Sequence, residues 1–105
     1  MAQFDLHANR DPRTRTRTPY LLDNQNELLS SLATRLVVPL RPRPDPGFPV
    51  IERLHPTMTL GGQDCVAVVS EMAAVPKAAL GERMDSLPAF RQAIMDACGL
   101  MLTGY

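Results

Sequence analysis

Gly61 and Gly62 stand between two segments that favour extended backbone, residues 50–60 and 63–69. Glycine accepts the positive φ that tight hairpin turns require, so the pair predicts a β-hairpin here. Alternate residues of the second segment would face opposite sides, and both sets are apolar: Cys65, Ala67 and Val69 on one side, Val66 and Val68 on the other. This strand is therefore expected to be buried on both faces.

Three further segments predict strands. Residues 3–9 alternate with a period of two, which is typical of a half-buried strand. A second strand is predicted at Tyr20–Asp23, and RLVVPL (35–40) reads as a central strand because it is rich in β-branched residues. Pro39 lacks an N–H group, so the end of that strand is expected at an edge or a bulge. In the first segment Phe4, Leu6 and Ala8 would share one face, and Gln3, Asp5, His7 and Asn9 the other.

The connections between these strands have distinct compositions. Residues 10–17 alternate arginine and threonine between Pro12 and Pro19, which predicts an extended hairpin loop rather than a helix. Residues 24–34 are polar around a Leu-Leu doublet and predict a connection with about one helical turn. Residues 41–49 hold four prolines and predict a long exposed loop, either a semi-rigid spacer or a loop that docks a partner.

The end of the chain predicts its one helix. Ser86 is a suitable N-cap and Pro88 would occupy the first turn, where a missing N–H costs nothing. No glycine occurs from there to Gly99, so the helix is expected to run to about that residue or just past it. Its buried stripe would be Leu87, Phe90, Ile94, Ala97, Cys98 and Met101. The expected fold is mainly β, with five or so strands forming a small curled sheet against a C-terminal helix.

Length and charge limit the classes of protein to which the chain can belong. A chain of 105 residues fits one domain, 1–105, with a modest core that a second copy would help to complete. Eleven basic residues balance eleven acidic ones, which argues against a dedicated nucleic-acid binder. No apolar run is long enough to span a membrane and no signal peptide is recognisable. Two cysteines without a pairing pattern fit a reducing cytoplasm.

The sequence contains no recognisable catalytic or metal-binding motif. His7 and His55 stand in no catalytic or metal-binding pattern and are expected at the surface, and Cys65 and Cys98 are expected to be buried thiols. These residues therefore predict no metal site and no cofactor site. The arginines of 10–17 either form a solvated loop or grip phosphates or an acidic partner.

The last residues raise a different possibility. Leu100, Met101 and Leu102 are apolar at a chain end, where polar residues are usual. Met95 and Leu102 would lie on a helix face other than the buried stripe. Such side chains predict a surface that either binds another protein or folds onto a second copy of the chain.

Three segments resemble the CcdB family of plasmid and chromosomal toxins: ATRLVVPL (33–40), VSEMAAVPKAALGE (69–82) and the end pattern LM-x-x-G-x (100–105). The resemblance implies an SH3-like barrel of about five or more antiparallel strands with a C-terminal α-helix, and a homodimer. It also implies a type II toxin that is not an enzyme. Such toxins bind the DNA gyrase A subunit, trap the gyrase–cleaved-DNA complex and are neutralised by a CcdA-like antitoxin. Together with that antitoxin, which reads the operator DNA, they repress their own operon.

The resemblance also assigns a target-binding site. The family ends in Trp-Gly-Ile, and these positions are held here by Thr103, Gly104 and Tyr105, so only the glycine matches. Further positions that face gyrase in the family are held here by Leu102, Gly99, Leu28 and Leu29. Because CcdA-like tails are acidic, we expect Arg41 and Arg43 to contact the antitoxin.

Two alternatives to gyrase poisoning remain open. An RNA-cleaving toxin could use the same barrel with the arginines of residues 10–17. A non-toxic homologue would bind only the antitoxin.

Overall fold

The computed structural model of the chain describes residues 2–29, 31–43 and 51–104. Within these ranges the chain forms seven antiparallel strands that make a curled half-barrel, followed by one α-helix, as the sequence predicted in outline. The elements are β1 (Asp5–Asn9), β2 (Tyr20–Asp23), β3 (Thr34–Pro42), β4 (Thr57–Leu60), β5 (Gln63–Ala67), β6 (Ala73–Pro76), β7 (Leu80–Ser86) and α1 (Arg91–Thr103).

The long strand β3 organises the sheet. The strand order is β4-β5-β3-β2-β1-β7, and β6 pairs with the first half of β3 while β5 pairs with its second half. Pro39 lies between the part of β3 that pairs with β6 and the part that pairs with β5. Its carbonyl accepts the N–H of Val68 at 2.8 Å. The N–H that proline lacks would point to the same side, where neither β5 nor β6 pairs with this residue, so no hydrogen bond between strands is lost. The expectation of an edge or bulge there was wrong, because Leu40 pairs with both Tyr20 and Ala67.

β1 is buried on both faces, which corrects the prediction of a half-buried strand. Asp5, His7 and Asn9 are all buried, and each side chain binds a group on β7 or on the loop after β1. Asn9 Nδ2 donates to the carbonyl of Thr18 at 2.8 Å, and Asp5 forms an ion pair with Arg83 at 3.2 Å. Polar side chains that bind local partners can alternate with apolar ones and still be buried.

The hairpin predicted at the glycine pair is confirmed. Gly61 and Gly62 have φ values of 56° and 81° and join β4 to β5. The first strand is shorter than expected, because residues 51–55 form turns. The second is buried on both faces from Cys65 to Val69, as predicted.

Two strands were not predicted, β6 and β7. Their sequences, AAVP and LGERMDS, hold one β-branched residue, Val75, and no aromatic residue, so they carry little of the pattern that marks strands. Ser86 ends β7 and is not a helix cap. A 3₁₀ turn (Pro88–Phe90) precedes α1, whose N-cap residue Phe90 makes no side-chain cap. The extended conformation of β6 and β7 is therefore determined by their position in the sheet and not by the local preference of their residues.

The core lies between the concave side of the sheet and α1. The buried stripe of α1 is confirmed at Ile94, Ala97 and Cys98, with Leu87 and Phe90 packed beside it. Met101, predicted to belong to the stripe, is partly exposed. A smaller cluster on the other side of the sheet joins Leu21, Val37, Leu80 and Val75.

Candidate protein-interaction surface

Large apolar side chains are exposed on two elements. Leu28 is 89% exposed and Leu102 is 76% exposed, which is far above the average for leucine in a folded protein. Leaving a leucine in water instead of burying it forgoes about 1.5–3 kcal/mol. Leu29 and Leu32 are also exposed near Leu28, Met101 is exposed near Leu102, and Met95 is exposed earlier on α1.

The first element, which we call the leucine turn, comprises residues 26–32, of which Ser30 is not described. It contains the predicted single helical turn, a 3₁₀ turn at Glu27–Leu29. Asn26 starts the turn: its Oδ1 accepts the N–H of Leu28 at 2.8 Å and its carbonyl accepts that of Leu29 at 3.0 Å. These bonds fix the backbone, so both leucines project from a defined position.

The second element, which we call the helix tip, comprises residues 99–104. The helix continues past Gly99 to Thr103 and ends at Gly104, which has φ 81° and donates its N–H to the carbonyl of Leu100 at 2.9 Å. Only glycine takes this left-handed position without strain. Thr103 is exposed and its hydroxyl donates to the carbonyl of Gly99 at 2.7 Å. Tyr105 lies outside the described residues.

Asn24 links the two elements. Its Nδ2 donates to the sulfur of Met72 at 3.3 Å and lies 3.9 Å from the sulfur of Cys98 on α1. Cys98 is one helical turn before Leu102, but Cys98 is buried whereas Leu102 is exposed. The leucine turn and the helix tip therefore begin from neighbouring parts of the fold, at Asn24 and Cys98. Burial raises the pKa of the Cys98 thiol, so it remains a neutral packing group.

A second surface lies on the other side of the sheet. A cavity of about 400 Å³ is bordered by the loop after β1, by the outer face of β2 and β3, and by residues 71–79. We call it the arginine cleft. Its charged lining residues are Asp11, Arg13, Arg17, Arg41 and Glu71, and its apolar floor includes Leu21, Val37, Pro39 and Val75.

The charges of the arginine cleft are mostly paired. Arg13 lies 3.2 Å from Asp11, and the hydrogen bonds that it donates from its side chain and backbone lower the pKa of that carboxyl. Arg41 is buried and lies 2.8 Å from Glu71, which is half exposed. Arg17 is exposed and has no ion pair among the described residues.

The two arginines expected to contact the antitoxin lie in different places. Arg41 lines the arginine cleft, whereas Arg43 is exposed and borders a separate cavity with Glu52 and His55. The proline-rich loop that follows them lies mostly in residues 44–50, outside the described ranges.

Both histidines are buried, so the prediction that they lie at the surface was wrong. His7 Nδ1 lies 3.1 Å from the carbonyl of Gly81 between β1 and β7. His55 Nδ1 accepts the N–H of Ile51 at 3.0 Å, so its proton is on Nε2 and is donated to Ser70 Oγ at 2.9 Å. Burial lowers the pKa of His55 and keeps the ring neutral. In this tautomer His55 cannot take a proton from Ser70, and the pair lacks the arrangement of a nucleophile and its base.

Within the described residues, no cluster of three or more metal-binding side chains occurs. None of the described helices is long and apolar enough to cross a membrane. The described residues present two surfaces that differ in character, one apolar and one charged.

Comparison with known proteins identifies one family. No curated protein matches the chain. The model of one protein family, described as CcdB protein, matches residues 3–104, which is nearly the whole chain. The protein therefore belongs to the CcdB family of toxins.

Proposed function

We propose that this toxin of a toxin–antitoxin system binds the A subunit of DNA gyrase through the leucine turn and the helix tip. In this proposal it traps the complex of gyrase with cleaved DNA, so that breaks accumulate. It forms no covalent bond and needs no cofactor, because binding energy alone holds an intermediate that is normally transient.

The observation that carries the proposal is the exposure of Leu28 and Leu102 on two elements that follow Asn24 and Cys98, which lie 3.9 Å apart. The family resemblance independently assigns the same two positions to the gyrase contact. A central patch of exposed large side chains is the usual site of binding energy in a protein interface. Leu29, Gly99, Thr103 and Gly104 complete the proposed contact, with Tyr105 as its last residue.

A homodimer follows from the same proposal. Two copies related by a two-fold axis would present two apolar tips to the two A subunits of gyrase. Because gyrase acts on chromosomal DNA, the proposal also places the protein in the cytoplasm.

The arginine cleft is the proposed site for a CcdA-like antitoxin. An acidic, disordered segment could lay aliphatic side chains on the floor and its carboxylates against Arg13, Arg17 and Arg41. Arg43, at the border of the next cavity, extends the positive charge along the chain. Operator DNA is contacted only through the complex with the antitoxin.

Induced expression in a gyrase-dependent bacterium tests the proposal. The full chain should arrest growth and cause gyrase-linked DNA breaks, and a chain that lacks residues 103–105 should do neither. A matched control is Met84→Ser, which alters an exposed apolar residue on β7 and should still arrest growth. Growth arrest that persists after the deletion would show that the gyrase-binding site lies elsewhere in the chain. Absence of arrest with retained antitoxin binding would identify a non-toxic homologue. RNA cleavage that is lost in Arg13→Ala or Arg15→Ala would favour a nuclease.

A further inference from the structure

The leucine turn is attached to the sheet by a fully buried ion pair. Asp23 at the end of β2 and Arg35 in β3 are both completely inaccessible, and Arg35 Nη2 lies 2.7 Å from Asp23 Oδ2. Arg35 Nε donates to the same oxygen at 2.9 Å. The remaining oxygen of Asp23 accepts the N–H of Gln25 at 2.9 Å, which is the first step from the pair into the connection that becomes the turn.

Gln25 is held from three directions. Besides the bond to Asp23, its carbonyl lies 3.4 Å from Arg35 Nη2, and its side-chain Oε1 accepts the N–H of Leu36 at 3.2 Å. The preceding residue, Asn24, donates its N–H to the carbonyl of Leu36 at 2.8 Å. The backbone therefore reaches Asn26, which starts the leucine turn, in a single fixed direction.

Stability does not explain this pair. Removing two charges from water is costly, and well-packed apolar residues often replace a buried ion pair with no loss of stability. A buried charged pair can instead select one arrangement of the chain, because only one geometry satisfies both charges. Here the groups that satisfy the charges include the backbone of Gln25, immediately before the turn.

We propose that Asp23 and Arg35 are positioning residues that fix the direction in which the leucine turn presents Leu28 and Leu29. The consequence for gyrase affinity rests on the function proposed above. The consequence for the order of the turn does not.

The test replaces the pair by apolar residues, Asp23→Val with Arg35→Met, and measures two quantities. Backbone ¹⁵N order parameters at Leu28 and Leu29 should fall from about 0.85 to below about 0.6, while those of α1 stay unchanged. Affinity for the isolated gyrase A subunit should fall about tenfold or more, because the turn must then be ordered on binding. The matched control is Asp5→Val with Arg83→Met, an ion pair between β1 and β7 whose loss should change neither quantity.

Unchanged order parameters at Leu28 and Leu29 in the double variant would overturn the proposal. Should that variant fail to fold, Gln25→Ala provides a second test, because it removes the bond to Leu36 and leaves the ion pair intact. Its order parameters should fall in the same direction, and rigid leucines there would equally overturn the inference. If the unmodified protein does not bind gyrase A, the proposed function fails while the order parameters still decide this proposal.

Discussion

The leucine turn and the arginine cleft differ in whether their side chains already have partners within the chain. The turn exposes Leu28 and Leu29 to water while its backbone is hydrogen-bonded at Asn26. In the cleft, by contrast, Arg13 and Arg41 already have carboxylate partners. An apolar partner gains the full benefit of covering the leucines, whereas an acidic partner must compete with Asp11 and Glu71. We therefore expect the first surface to supply affinity and the second to supply selectivity.

The largest expected effect comes from the apolar surface. Leu28→Ser and Leu102→Ser should each weaken binding to the gyrase A subunit by roughly thirtyfold, the equivalent of about 2 kcal/mol for a central apolar contact. Because both side chains are exposed, the free energy of unfolding should change by less than about 0.5 kcal/mol. Titration calorimetry and thermal denaturation measure the two quantities.

Met84→Ser is the matched control for these changes, since Met84 is also exposed but belongs to β7. Its gyrase affinity should equal that of the unmodified protein. Equal losses in all three variants would show that surface hydrophobicity in general, and not the leucine turn with the helix tip, determines binding.

The two surfaces also differ in how far the sequence predicted them. The helix tip was predictable from the residues, because Leu102 is apolar near the end of the sequence and lies off the buried stripe, whereas Leu28 was assigned only through the resemblance to CcdB toxins. The cleft was not, because it needs β6 and its unpredicted pairing with β3 to bring residues 71–79 beside the loop after β1. Arg41 was predicted as a contact residue because antitoxin tails are acidic, and its burial against Glu71 depends on that same distant segment.

The histidines show the same limit of local reasoning. His7 alternates with apolar residues, which is the pattern of a solvent-facing side chain, yet it is buried with its Nδ1 3.1 Å from the carbonyl of Gly81 on β7. The glycine pair and the helix stripe were predictable because turn chemistry and helical spacing are local properties. Burial of polar residues depends on which segments meet, and a single sequence does not state that.

A smaller effect is expected at the cleft. Arg17→Gln should weaken binding of an acidic antitoxin peptide by about threefold, typical of one exposed charge, and gyrase affinity should stay the same. Arg15→Gln is the matched control, because Arg15 is equally exposed in the same loop and does not line the cleft. Raising the salt concentration should abolish the difference between the two variants. Fluorescence anisotropy with a labelled peptide measures both, and equal losses in the two variants would show that the loop acts only through its total charge.

The smallest effect concerns the pairing inside the cleft itself. Hydrogen bonds from Arg13 hold the pKa of Asp11 below its ordinary value of 3.8, so this carboxylate should stay ionised to a lower pH than an unpaired aspartate. Arg13→Gln removes the side-chain bonds and the charge, and the pKa of Asp11 should rise towards 3.8. An NMR titration of the Asp11 side-chain carboxyl in the unmodified protein and in the variant measures the change. If Asp11 titrates at its ordinary value in the unmodified protein, Arg13 is not engaged in solution and an acidic partner meets no competition there. The contrast between a surface with satisfied charges and one with exposed leucines would then rest on Arg41 and Glu71 alone.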